Sequence, residues 1–168
     1  MDSFDAFWLP GMDIQTRDII ATRQGRSINV RFPVLSSDEL DTIADTLRER
    51  RRRLLIGRSI DDIIDTLDAV AEYWLHDSVL RRRAVEAISI LSGFSEPMVS
   101  HAIHLEQVSS RGADMRRALD RELSSRLALD GFIETPKGRS TAVGPELIGG
   151  IFSANIPALP HLTVMRSF

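Results

Sequence analysis

The sequence contains no cysteine. That excludes disulfides, thiolate-held metal and any thiol nucleophile within these 168 residues. Long apolar runs are missing too, and no stretch approaches the roughly 20 residues of a membrane-spanning helix. The opening residues, MDSFDAFWLPGMD, are acidic and too short in apolar length for a secretory signal, so the cytoplasm is the expected compartment. There is no surplus of basic charge. A formal net charge of -3 argues against a dedicated nucleic-acid binder. Internal repeats, low-complexity tracts and a G-x-G-x-x-G fingerprint are all absent.

What remains is an ordinary globular composition, 43% apolar and 27% charged, long enough to build its own core. Residues 1–35 mix aromatic and turn residues around one alternating run. In RSINVRF, Ile28, Val30 and Phe32 alternate with polar neighbours, which predicts a half-buried strand closed by Pro33. Helical spacing then takes over. Ser36 to Glu39 fits a capping box, followed by Leu40, Ile43, Ala44, Leu47 and Leu54. Ser59 to Asp62 opens a second helix with the stripe Ile60, Ile63, Ile64, Leu67, Val70, Ala71 and Trp74. Asp77 is the expected cap of a third, with Leu80, Ala84, Ala87, Ile88 and Leu91 inward and Gly93 at its C-cap. Ser95 caps a fourth, with Pro97 in its first turn and Met98, Ala102, Ile103 and Leu105 as its apolar face. Arg111 to Leu129 reads as a fifth, carrying Met115, Ala118, Leu119, Leu123 and Leu127.

The texture changes at Asp130-Gly131. FIETPKGRSTAV predicts two short strands around a Pro136-Lys137-Gly138 turn. Leu147 to Ser153 is almost all apolar or glycine, which predicts a short buried strand. It runs into a proline-bearing turn and an apolar helix. Strand-turn-helix is the opening unit of an open α/β sheet, in which ligands sit beyond the carboxyl ends of the strands. Here that position is Ser153-Ala154-Asn155. Small residues there let a ligand approach the backbone. The Asn155 amide offers two donors suited to a developing oxyanion, although asparagine before a proline-bearing turn also serves as plain turn chemistry.

The segment GGIFSANIPALPHLTVMRSF resembles the fatty acyl-CoA reductases of bacterial bioluminescence systems, members of the aldehyde dehydrogenase superfamily. FWLPG, VRFPVL, IGRSIDDIIDTLDAVAEYW and GFSEPMV fit the same resemblance. It implies that an acyl-CoA acylates an active-site cysteine, that coenzyme A leaves, and that reduced nicotinamide (NADPH or NADH) converts the thioester to an aldehyde. It also implies an oxyanion donor at Asn155 and nucleotide-lining positions at Phe152, Ser153 and Ala154. The missing cysteine departs from that family, so this chain alone is expected to be inactive and to bind the nucleotide weakly or not at all.

The expected fold is α+β, mainly helical. It comprises an N-terminal strand region (1–35), a helical subdomain (36–129), and a hairpin with the first strand-turn-helix of a truncated, aldehyde-dehydrogenase-like nucleotide-binding domain (130–168). The expected function is the N-terminal fragment of an acyl-CoA reductase, completed by the remainder of its own polypeptide. A homo-oligomer is possible by analogy, and neither nucleic acid, a membrane span nor a metal is expected. The alternative is a non-catalytic helical interaction module, and a nucleic-acid-binding regulator is weaker still. Arg48 to Arg53 and Arg81 to Arg83 read first as solvated helix residues with ordinary acidic partners such as Asp77 and Glu86, and second as phosphate contacts. His101, His104 and Glu106 have metal-ligand spacing without a further ligand cluster. His161 reads as a capping or surface residue, and Tyr73 and Trp74 as rim and core.

Overall fold

Serine sets most of the helix starts. Ser36, Ser59, Ser78 and Ser95 each accept a backbone N–H three residues on, satisfying a donor that the first helical turn leaves unpaired. The structure, a computed structural model, describes residues 2–9 and 11–150. In chain order the elements are β1 (Asp2–Asp5), β2 (Thr16–Arg23), β3 (Arg26–Pro33), α1 (Ser37–Leu54), α2 (Ile60–Leu75), α3 (Val79–Ser92), α4 (Glu96–Ser109) and α5 (Gly112–Leu123). A 3-10 turn (Arg126–Leu129) and the hairpin β4 (Ile133–Thr135) and β5 (Gly138–Ser140) follow. The fold is α+β and mainly helical, as expected.

RSINVRF is the middle strand of a three-stranded sheet with order β1-β3-β2. β1 runs parallel to β3 and β2 antiparallel to it. Both neighbours are additions to the sequence reading. β2 is exposed at all but one position, so it shows no buried alternation. A legible signal was Gln24-Gly25, whose φ values of 51° and 76° make the two-residue turn that hairpins favour. β3 turns Ile28 and Val30 onto Ala87 and Ile90 of α3, with Phe4, Ala21 and Phe32 around them. A second cluster joins Val85, Val99 and Ile103 with Trp74, Ile88 and Phe94. α2 packs on α4 and α5 and buries Ile60, Ile64 and Ala71.

Several faces differ from the expectation. α1 buries no residue at all. On α3, Leu80 and Leu91 are exposed, and Arg81, Val85, Ala87 and Ile90 turn inward. Asp77 leaves the capping to Ser78 and pairs with Arg82 at 2.6 Å. On α4 the inner face is Val99, Ile103, Glu106 and Gln107, with Met98 and Leu105 outside. Two buried polar residues break the apolar pattern there, and it shifts one position around the helix. The fifth helix ends at Leu123 because Ser124 adopts a left-handed φ of 64°, and Arg126–Leu129 resumes as 3-10. Of the strand expected from Leu147 to Ser153, positions 147–150 carry no regular structure and are exposed, and 151–153 lie outside the described residues.

Candidate functional site

Phe152, Ser153, Ala154 and Asn155, together with His161, lie outside the described residues. The structure shows the framework that leads to them. Four acids on α2, Asp61, Asp65, Asp68 and Glu72, are spaced four, three and four residues apart and share one face. Three arginines from the following segments dock on that face. Arg116 reaches Asp61 at 2.7 Å and Asp65 at 2.5 Å. Arg126 binds Asp61 through two nitrogens, at 3.0 and 3.1 Å, and Asp120 at 2.9 Å. Arg111 binds Asp68 at 2.7 and 3.2 Å and also pairs with Glu72.

The electrostatics follow from these contacts. Hydrogen bonds from Arg126 and then Arg116 hold Asp61 down at about 2. Arg111 and the Gly112 N–H depress Asp68, and the three guanidiniums are raised in turn. Asp68 accepts the Gly112 N–H at 2.7 Å, which caps α5 from a neighbouring helix because its own N-cap, Arg111, supplies no side-chain acceptor. These acids are already committed to cations. Their chemistry here is to fix α5 and the 3-10 turn against α2, and the sequence reading did not single them out. The signal was the 61-65-68-72 spacing opposite three arginines.

The hairpin is anchored on the same framework. Asp130 accepts the N–H of Ile60 at 2.7 Å, and Ala142 N–H and the Thr141 hydroxyl both donate to Ala128 O, at 2.8 and 3.1 Å. The 3-10 turn therefore holds the chain on both sides of β4 and β5. That fixes the point from which residues 143–150 depart.

A shallow cleft of about 390 Å³ opens between β1 and the α2–α3 pair, walled by Phe4, Trp74, Leu80 and Ala84. Arg83 lies over the Phe4 ring, 5.0 Å from its centroid, and donates to Ser3 O at 3.4 Å. Asp5, also at the cleft, is held by Arg31 at 2.6 and 2.9 Å. The cleft offers an apolar wall and one cation, with no nucleophile–base pair for acyl transfer.

The arginine runs separate. Arg81 is a correction to the solvated reading: it is only 9% exposed. Its guanidinium donates to Trp74 O at 2.5 Å, Leu75 O at 3.2 Å and Ser100 O at 3.0 Å. It thereby caps the last carbonyls of α2, which has no basic residue in its own last turn, and ties that end to α4. Arg82 is an ordinary surface partner of Asp77. Glu86 pairs not with its own helix but with Arg26 of β3, which also holds Glu96 at 2.5 Å. In the first run, Arg48 pairs with Asp45 at 2.8 Å and Arg52 approaches Glu146 at 3.7 Å. His101 and His104 are exposed and Glu106 is buried, so the three do not converge. Among the described residues no group of three or more His, Cys, Asp and Glu could hold a metal ion. No described helix is long and apolar enough to cross a membrane.

Together these elements define a helical α+β scaffold unit, pinned by arginine–aspartate pairs, that presents a hairpin and the chain beyond it. The sequence places that unit: the family described as acyl-CoA reductase (LuxC) matches residues 55–168, and the chain belongs to it. The match takes in the acid-bearing helix α2, GFSEPMV and the Asn155 segment, and FWLPG and VRFPVL precede it. No curated protein and no solved structure matches the chain.

Proposed function

We propose that this chain supplies the helical N-terminal part of an acyl-CoA reductase that makes an aldehyde and coenzyme A. The cysteine nucleophile and the rest of the nucleotide site would come from further polypeptide of the same enzyme. The observation that carries this reading is the family match across residues 55–168, in a sequence without cysteine. In the balanced reaction, an acyl thioester, a hydride and a proton give the aldehyde and the free thiol. A reduced nicotinamide nucleotide, NADPH or NADH, supplies the hydride when bound. Each step passes a tetrahedral oxyanion, and Asn155 is the residue of this chain that would donate to it. Phe152, Ser153 and Ala154 would line the nucleotide, their small side chains at 153 and 154 allowing close backbone approach. Residues 1–35, 36–129 and 130–168 would act as strand region, helical support and entry to an aldehyde-dehydrogenase-like nucleotide domain. The cytoplasm is the proposed compartment.

The α2 framework supports this division of labour. Its acids are neutralised by arginines, which suits support better than proton transfer. The test is turnover. The purified chain is expected to oxidise no NADPH or NADH with acyl-CoA, and the cysteine-bearing whole enzyme is expected to do so. Asn155→Ala in the whole enzyme should lower turnover by about 10²–10³-fold. Reductase activity from the 168-residue chain alone would overturn the reading. An unchanged rate in the variant would return Asn155 to turn chemistry.

A further inference from the structure

α3 carries three consecutive arginines with three different fates. Arg81 is buried against helix carbonyls, and Arg82 pairs with Asp77. Arg83 has no carboxylate partner among the described residues. Its contacts are the Phe4 ring, 5.0 Å from its centroid, and a long hydrogen bond to Ser3 O at 3.4 Å. The acids around it are committed elsewhere. Asp5 is held by Arg31, and Glu86, one turn further along α3, is held by Arg26. A guanidinium carries five N–H donors, so most of those on Arg83 remain open to a ligand.

That cation stands at the cleft between β1 and the α2–α3 pair. Its volume of about 390 Å³ falls within the roughly 300–1,000 Å³ usual for small-molecule sites. Leu80, Arg83 and Ala84 follow i, i+3, i+4 spacing, so they share one face of α3. Phe4 of β1 and Trp74 of α2 add aromatic surface. Trp74 also packs on the cluster of Val85, Val99 and Ile103, which fixes it as a wall. The charge left for a ligand is positive, because Asp5 is already neutralised by Arg31. One cation suits a monoanion, and its planar fork fits both oxygens of a carboxylate. A small hydrated anion would leave the apolar wall in water. A carboxylate with an apolar tail covers it. Without a nucleophile–base pair, the cleft holds such a molecule and does not convert it.

We propose that this cleft is a binding site for a monocarboxylate with an unbranched apolar tail. The carboxylate sits on Arg83, and the tail lies across Phe4, Trp74, Leu80 and Ala84. The inference does not depend on the reductase reading, which concerns other residues. The chain has two tryptophans, Trp8 and Trp74, and Trp8 is 83% exposed. Trp8→Phe therefore leaves Trp74 as a reporter inside the cleft. Decanoate at neutral pH should shift the Trp74 emission to the blue and saturate, with a dissociation constant below about 1 mM. Octanoate should bind about fivefold more weakly, because two fewer methylenes are covered. At matched concentration, uncharged 1-octanol should shift the emission far less than octanoate. Arg83→Gln should weaken decanoate binding about tenfold, and Arg82→Gln should leave it unchanged. The comparison of octanoate with octanol uses no Arg83 variant, so it stands even if that variant folds poorly. Three outcomes would overturn the proposal: no saturable shift with decanoate, octanol equal to octanoate, or a folded Arg83→Gln chain that binds decanoate as the parent does.

Discussion

α1 and α2 are near equals as sequences and opposites as structures. Each starts at a serine cap, carries acids in its first turn and shows an apolar stripe at helical spacing. α2 sinks Ile60, Ile64 and Ala71 against α4 and α5, and α1 sinks nothing. Periodicity states that a helix has an apolar face. It does not state which polypeptide covers that face, because the cover is a property of the other elements. α2 has covers of its own: apolar residues of α4 on one side and a fence of arginines on the other.

The comparison is most sharply tested at matched positions. Ile64 is 2% exposed, and Ile64→Ala should cost about 3–4 kcal/mol by leaving a cavity. In the dilute chain, Leu47→Ala should change stability by less than about 0.5 kcal/mol, since Leu47 is half in water and alanine favours the helix. Urea unfolding of both variants measures the difference. Equal costs would mean that α1 is packed as firmly as α2, and would break the contrast.

Much of the fold was legible where local chemistry decides it. The capping box at Ser36, the caps at Ser59 and Ser95, the left-handed Gly93 with φ 83° and the hairpin around Lys137 all depend on residues close in sequence. What was not legible depends on distant partners. β1 pairs with β3 across some twenty-six positions, Asp2 opposite Ile28, and nothing in DSFD announces it. The inner face of α4 was misplaced because Glu106 and Gln107 are buried, which no apolar pattern predicts. Arg81 looked like its exposed neighbours Arg82 and Arg83, and its role is set by carbonyls of α2 and α4. Ser153, Ala154 and Asn155 stood out from the strand-turn pattern, and the resemblance added Phe152 and gave the four their roles; all lie outside the described residues. The acid ladder of α2, visible as a spacing, acquires meaning only beside Arg111, Arg116 and Arg126.

Arg81 offers the next largest effect. If the end of α2 depends on this borrowed cap, Arg81→Ala leaves two terminal carbonyls and Ser100 O without their donor, at about 2 kcal/mol. Arg81→Lys should recover only part of it, because a single ammonium cannot span both helices as the planar guanidinium does. Arg82→Ala, beside it on the surface, should shift stability by less than about 0.5 kcal/mol. Thermal melts of the three variants separate the readings, and an Arg81→Ala melt equal to that of Arg82→Ala would restore the solvated assignment.

The smallest effect concerns the other edge of α2 and carries a pH signature. Asp61 is held at about 2, against an ordinary 3.8, by Arg126 and Arg116. A carboxylate with a depressed value in the folded state stabilises the fold fully above its unfolded value and loses that contribution as pH falls. The contribution of Asp61 is therefore complete above pH 3.8 and fades towards pH 2. Asp61→Asn removes the charge at every pH and leaves Arg116 with Asp65, and Arg126 with Asp120. Because those alternatives exist and the site is partly open to water, the variant should melt only a few degrees lower at neutral pH. The gap between wild type and variant should then narrow as the pH is lowered through that window. A gap that stays constant down to pH 2 would mean that Asp61 supports the 3-10 turn by shape and hydrogen bonding alone. The contrast with α1 would then rest on the apolar face of α2, without its arginine fence.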